Sequence, residues 1–261
     1  MNRQEFTLRI GAHTHTGKVR AGNEDSILAA DPCFLVADGV GGQEAGAQAS
    51  SAAVEVFQEM LPAGNPARLE DIERALSDAR QAVRGIATAG GRGAGSTLTG
   101  VIRVDHDGIP QWYVLNIGDS RVYLHRDAEL LQLTTDHSLQ EELGAAGDPA
   151  AELAPKNVIT RALGGDDDRH DSWLLPLESG SRILVCSDGL TSEVGDEQIR
   201  GVLTEEPVAE RAADELLRRA LIEGGRDNVS VIVVDVGTPA IPAEVEETGT
   251  TIEQEYRKGT R

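Results

Sequence analysis

The chain has 261 residues, enough to bury a self-sufficient core without disulfide staples. Hydrophobic residues make up 39 % and aromatic residues only 3 %, so that core must be assembled from Val, Leu, Ile and Ala. A net charge of −20 repels nucleic acid and anionic membrane surfaces and excludes both as main partners.

The N-terminal ten residues hold no apolar stretch of the kind a signal peptide needs. No later stretch approaches the roughly 20 apolar residues of a membrane span. A cytoplasmic protein is expected, with monomer as the default state. Cys33 and Cys186 both sit in apolar runs and read as small core residues in a reducing compartment.

Alternation at Leu8, Ile10 and Ala12 predicts a first strand. The continuous run Cys33-Phe34-Leu35-Val36-Ala37 predicts a buried strand that stops at Asp38-Gly39. Gly46 to Leu61 carries a small-residue helical pattern closed by Pro62. Leu69, Ile72, Leu76, Ala79, Val83 and Ile86 recur at spacings of three and four, a single apolar stripe suited to lying on a sheet. Gly90 to Gly95 reads as a flexible loop. Strand-like runs follow at Ser96–Val104, Gln111–Asn116 and Arg121–His125, joined by turns at Asp107-Gly108 and Gly118-Asp119.

Residues 138–158, polar and rich in Ala, Gly and Pro, read as a mobile loop or flap. Arg182–Cys186 is a further buried strand, ending in Ser187-Asp188-Gly189. Amphipathic helices around 196–203 and 208–221 precede a last strand, Val229–Val236. The composition then turns to Pro, Glu, Thr and Gly. The expected organisation is one catalytic domain over 1–237 and a disordered acidic tail or linker over 238–261. Strands in runs and helices in pairs favour an α+β layered domain over a Rossmann-type sheet.

Apolar strands run into Asp38, Asp119 and Asp188, Asp227 leads into the last strand, and Asn23-Glu24-Asp25 follows a glycine-containing turn. One Asp-Gly ends a strand for turn reasons alone. Four such aspartates at strand ends crowd one another, and two carboxylates ~4 Å apart repel by roughly 4 kcal/mol at an effective dielectric of 20. Without cations such a cluster raises its pKa values or comes apart. All-oxygen ligands select hard cations, so the pattern reads as a site for Mg²⁺ or Mn²⁺. Gly39, after Asp38, lets its carbonyl approach the same ion.

Eight segments occur in order: Gly17-Lys18-Val19-Arg20-Ala21-Gly22-Asn23-Glu24-Asp25, Ala37-Asp38-Gly39-Val40-Gly41-Gly42, Gly95-Ser96-Thr97-Leu98, Asn116-Ile117-Gly118-Asp119-Ser120-Arg121, Thr135-Asp136-His137-Ser138, Ile159-Thr160-Arg161-Ala162-Leu163-Gly164, Ser187-Asp188-Gly189-Leu190 and Asp227-Asn228-Val229-Ser230. Together, from about residue 8 to 236, they resemble the ordered motifs of the metal-dependent (PPM, type 2C) serine/threonine protein phosphatases in their bacterial form.

The resemblance implies a four-layer α-β-β-α sandwich, two antiparallel sheets flanked by helix pairs, with metals in a cleft at one end. It implies that Asp38 bridges two Mn²⁺ or Mg²⁺ ions and that Asp188 and Asp227 complete the first site. Glu24 and the Gly39 carbonyl serve the second, with Asp25 holding metal-bound water. Asp119 with Asp188 matches a third-metal site. Arg20 is expected to grip the substrate phosphate, as a lone cation before Asn23-Glu24-Asp25 suits. The implied chemistry is direct attack by a water bridging the metals on phosphoserine or phosphothreonine, with no phosphoenzyme. The implied partners are phosphorylated proteins, a serine/threonine kinase among them.

Two departures stand out. Val40 follows Asp38-Gly39 where some members carry a histidine as general acid, and Ala154-Pro155-Lys156-Asn157 replaces a His-Pro pair in the flap. His137 reads as structural, and His13 and His15 as an exposed strand face.

Three rivals are weighed. The segment Val101-Ile102-Arg103-Val104-Asp105-His106-Asp107-Gly108-Ile109 resembles the nucleophilic loop of haloacid-dehalogenase-type phosphatases, which act through an aspartyl-phosphate on a parallel α/β sheet. The strand runs do not suggest that sheet, and the hairpin turn on Asp107-Gly108 is the favoured reading. Cysteine phosphatases need Arg six positions after Cys, where Gly39 and Ser192 stand. A phosphatase fold kept as a regulatory or phospho-binding module would lack a metal ligand, and every expected ligand is present.

Overall fold

The computed structural model describes residues 6–86, 93–155 and 158–238. The chain begins with strands β1 (Thr7–His15), β2 (Asp25–Ala30) and β3 (Cys33–Val40), then helices α1 (Gln43–Met60) and α2 (Leu69–Arg84). Strands β4 (Gly95–Ser96), β5 (Leu98–His106), β6 (Ile109–Ile117), β7 (Arg121–Arg126) and β8 (Glu129–Gln132) follow. Helix α3 (Leu139–Ala145) precedes β9 (Asp171–Pro176) and β10 (Arg182–Cys186). Helices α4 (Asp188–Thr191), α5 (Asp196–Glu205) and α6 (Ala209–Glu223) lead to β11 (Val229–Gly237).

Two sheets form, one in the order β1-β11-β10-β7-β8, the other β2-β3-β5-β6-β9 with β4 added beside β3. All pairings within the named strands are antiparallel. Side-chain alternation assigns each strand residue to a layer. On β3, Phe34 and Val36 point between the sheets, while Cys33, Leu35 and Ala37 point to α1 and α2. On β10, Ile183 and Val185 fill the inter-sheet core, while Leu184 and Cys186 meet α5 and α6. Strands buried on both faces need apolar residues at every position, which is why these runs are unbroken in the sequence. The result is the expected α-β-β-α sandwich. Phe34 and Trp112 meet edge to face within it at 5.8 Å between ring centroids.

The structure corrects the loop predicted over 138–158. It contains α3 and a 3-10 turn, Pro149–Leu153. Ser138 caps α3, its hydroxyl accepting from Glu141 N at 3.3 Å, and that Ser-x-x-Glu spacing was a readable start signal. Of the loop predicted over Gly90–Gly95, residues 90–92 lie outside the described residues and Gly95 stands in β4; Lys156, Asn157 and the proposed tail beyond Thr238 also lie outside them. The Asp105–Gly108 segment is the β5–β6 hairpin. His106 pairs with Ile109, Asp107 and Gly108 both take positive φ, 56° and 80°, and Gly108 N donates to Asp105 Oδ1 at 2.7 Å. With no parallel ladder between the named strands, the aspartyl-phosphate reading loses the sheet it needs.

Candidate active site and metal centre

At one end of the sandwich a cavity of about 270 Å³ is lined by Arg20, Glu24, Asp38, Gly39, Asp119, Asp188 and Asp227. These residues come from five separate stretches of chain, and the fold gathers them. Of the nominated set only Asp25 lies off this lining. It stands beside Asp38 in the β2–β3 register and is buried, with 7 % of its surface exposed.

Each carboxylate is held by its own local device. The Asp38 backbone is clamped by Thr97, whose hydroxyl accepts from Asp38 N at 2.9 Å while Thr97 N donates to Asp38 O at 2.8 Å. Gly39 N donates to Glu24 O at 3.1 Å, tying two nominated positions together. A side chain at Gly39 would collide with the Gly46 carbonyl, so glycine here permits β3 to approach α1 closely. Asp188 opens α4 directly after β10. Asp119 follows Gly118, whose N–H donates to His137 Nδ1 at 3.1 Å. Asp227 Oδ1 accepts from Asn228 N at 2.8 Å, and its Oδ2 accepts from Arg20 Nη2 at 2.6 Å. Arg20 therefore faces the cavity as the partner of Asp227.

Electrostatically the cluster is short of positive charge. Burial, then the neighbouring carboxylates Asp25, Asp188, Asp119 and Asp227, push Asp38 well above the usual range. Burial and then Asp188 raise Asp119 to about 7. Burial raises Asp25 to about 7, against hydrogen bonds from Ser230 and Ser187 that lower it. Asp188 is raised by burial and by Asp227. Glu24 is raised by burial, and the Arg20 charge only partly opposes the shift. Two buried carboxylate oxygens, Asp25 Oδ1 and Asp188 Oδ1, have no hydrogen-bond partner. Buried, unpartnered and mutually repelling oxygens fit a hard divalent cation, which offsets their charge and takes up their lone pairs. Among the described residues no three His, Cys, Asp or Glu side chains already converge in a ready-made cage. What the nominated residues share is a cavity, and small hard cations keep several waters between themselves and protein oxygens.

Sequence reasoning flagged the segments but missed part of the support. Ser187 Oγ and Ser230 Oγ donate to Asp25 Oδ2 at 2.9 and 2.7 Å. Asn228 and Ile159 line the cavity. Thr97, Ser187, Asn228 and Ser230 all lie inside quoted motifs, and small hydroxyl or amide residues beside the aspartates were the available signal. His137 is structural as read: buried, accepting from Gly118 N, with Nε2 3.2 Å from Asp171 Oδ2. His13 lies 3.1 Å from Glu210 and His15 Nδ1 accepts from Gly17 N; they share no ligand position. Both cysteines are buried and free, and burial pushes each thiol up to about 12.

Comparison with known proteins agrees with this geometry. The family model described as protein phosphatase 2C matches residues 12–224. The serine/threonine protein phosphatase PstP of Mycobacterium tuberculosis is 37 % identical over 244 residues, covering 90 % of this chain and 46 % of PstP. The chain thus spans about half the length of that relative. The serine/threonine phosphatase stp of Listeria monocytogenes is 32 % identical over 239 residues, 85 % of this chain and 93 % of stp. Among solved structures, the catalytic domain of PstP in complex with two manganese ions superposes with a TM-score of 0.78 at 34 % identity, covering 89 % of this chain and 100 % of that one. Sheet order, the gathered carboxylates and the family model lead to one assignment: the chain belongs to the protein phosphatase 2C family.

Proposed function

We propose that the protein hydrolyses phosphoserine and phosphothreonine esters in other proteins, using Mn²⁺ or Mg²⁺ held in the carboxylate cavity. The observation that carries this reading is the gathering of Glu24, Asp38, Asp119, Asp188 and Asp227 with a single arginine around one cavity. Asp38 would be shared by two ions, Asp188 and Asp227 would help hold the first, and Glu24 and the Gly39 carbonyl the second. Asp119 with Asp188 is the proposed seat of a third. The two manganese ions of the PstP catalytic domain support the count in the core site. Bound there, the cations would supply Lewis acidity toward the phosphoryl oxygens and lower the pKa of water.

The chain's own residues do the rest. Arg20 has one N–H on Asp227, and its remaining donors are available to phosphate oxygens in bidentate fashion. Asp25, its Oδ2 held by two serines, is the proposed hydrogen-bond acceptor that orients water. Val40 and Ile159 supply apolar wall. The lining contains no histidine, so the leaving alkoxide takes its proton from water. No helix among the described residues is long and apolar enough to cross a membrane. We place the activity in the cytoplasm, in a monomer, opposing a serine/threonine kinase that is itself a candidate substrate.

Phosphate release from a phosphothreonine peptide in Mn²⁺, against excess EDTA, tests the reading. Release that requires the metal and falls more than about 100-fold in Asp188→Asn is expected, since even residues that only orient metal ligands cost about 10–100-fold. No release with any divalent metal, with peptide binding retained, would convert the fold into a phospho-binding module.

A further inference from the structure

Between β1 and β2 the chain runs through residues 16–24 with no strand ladder to fix it, yet this loop delivers Arg20 and Glu24 to the cavity. Backbone bonds from Lys18 N to Gly225 O at 2.7 Å and from Gly39 N to Glu24 O at 3.1 Å pin single points of it, and one side chain from more than 200 positions away ties three points at once. Asn228 Oδ1 accepts from Glu24 N at 2.8 Å. Asn228 Nδ2 donates to Thr16 O at 2.8 Å and to Gly22 O at 2.9 Å. The residue is 4 % exposed, and three hydrogen bonds occupy both amide hydrogens and one carbonyl lone pair. Two of its partners bracket Arg20 in sequence, and the third is the backbone of Glu24 itself.

Only a primary amide meets this demand. A carboxylate of the same shape would set an oxygen against the Thr16 and Gly22 carbonyls, and a serine hydroxyl donates once and cannot span the three partners. Leaving buried partners unmatched is costlier than never having made the bonds. The backbone of Asn228 in turn fixes Asp227, donating to Oδ1 at 2.8 Å. One residue therefore faces both halves of the candidate site.

We propose that Asn228 is the positioning residue of the cavity: its amide holds residues 16–24 so that Arg20 and Glu24 face Asp38 and Asp188. It acts through those two side chains and donates nothing to the substrate. Its kinetic arm rests on the phosphatase reading; its structural arm does not.

The test compares wild type, Asn228→Ala, Arg20→Ala and the double variant, with Asn228→Ser as a second variant should the alanine protein fail to fold. Three readouts are taken: kcat and KM on a phosphothreonine peptide at saturating Mn²⁺, Mn²⁺ affinity by calorimetric titration, and amide hydrogen exchange by mass spectrometry. Asn228→Ala is expected to lower kcat/KM and weaken Mn²⁺ binding about 10–100-fold each. With Arg20 already removed, the loss in kcat/KM should shrink to about threefold or less, because the two residues are coupled. Exchange should quicken over residues 16–24 while the amides of β10 and β11 stay protected. An equal loss in both backgrounds, or unchanged exchange over residues 16–24, would overturn the assignment. A wild type that neither binds Mn²⁺ nor releases phosphate would instead count against the phosphatase reading, and the exchange result would still decide the role of Asn228.

Discussion

Arg20 shows how much, and how little, a single position discloses. Its place before Asn23-Glu24-Asp25 marked it as the cation of the site, and it does line the cavity. Its contact with Asp227 at 2.6 Å joins residues 207 positions apart, and no local pattern announces it. A charge-assisted hydrogen bond to phosphate is worth about 1.5–3 kcal/mol. Arg20→Ala should therefore lower kcat/KM on a phosphopeptide about 10–150-fold and weaken inhibition by inorganic phosphate in parallel, both read from steady-state kinetics. Asp105→Asn is the matching control. Asp105 is an exposed hairpin residue accepting from Gly108 N, and its loss should leave kcat/KM within about twofold. A collapse of activity there would revive the aspartyl-phosphate chemistry that the antiparallel sheets argue against.

Among the elements, legibility follows burial. Strands β3, β10 and β11 are covered on both faces, so their apolar runs stood out. The strands that went unread, β2, β8 and β9, all lie at sheet edges. An edge strand has one neighbour, and with mixed burial it needs no strong pattern. Helix α2 was the opposite case, its stripe of Ile72, Leu76, Ala79 and Val83 fully buried on the sheet. Leu76→Ala should cost about 2–5 kcal/mol, the range for truncating a buried leucine, measured by urea or guanidinium unfolding. The apolar stripe is what that figure tests: a cost below about 1 kcal/mol would mean α2 does not carry the outer layer. Helix α3 buries none of its residues, so only its cap could have betrayed it.

For the whole molecule, the charge cluster sets how stability responds to pH and metal. Burial raises Asp25 and Asp119 to about 7 in the folded state, from the ordinary 3.8 of an exposed aspartate. Between those values the native state binds more protons than the unfolded chain, so stability of the metal-free protein falls as pH rises from about 4 to 7. A chelated sample should accordingly melt lower at pH 8 than at pH 5.5. Mn²⁺ at 100 times its Kd should add about 2.7 kcal/mol, roughly 5–10 °C in Tm for a domain of this size, with the larger gain at pH 8. A Tm indifferent to Mn²⁺ would remove the cation from the site.

By itself the sequence determined the α+β class, the strands and helices that carry the core, and which carboxylates to nominate for one site. Unbroken apolar runs can only be buried on both faces, and motif order is a property of the chain. Tertiary structure alone decided that five separate stretches bring the nominated residues to one cavity, that Arg20 meets Asp227, and that Asn228 ties three points of the loop of residues 16–24. Contacts between residues some 200 positions apart follow from how the two sheets stack, and neither periodicity nor spacing along the chain encodes that.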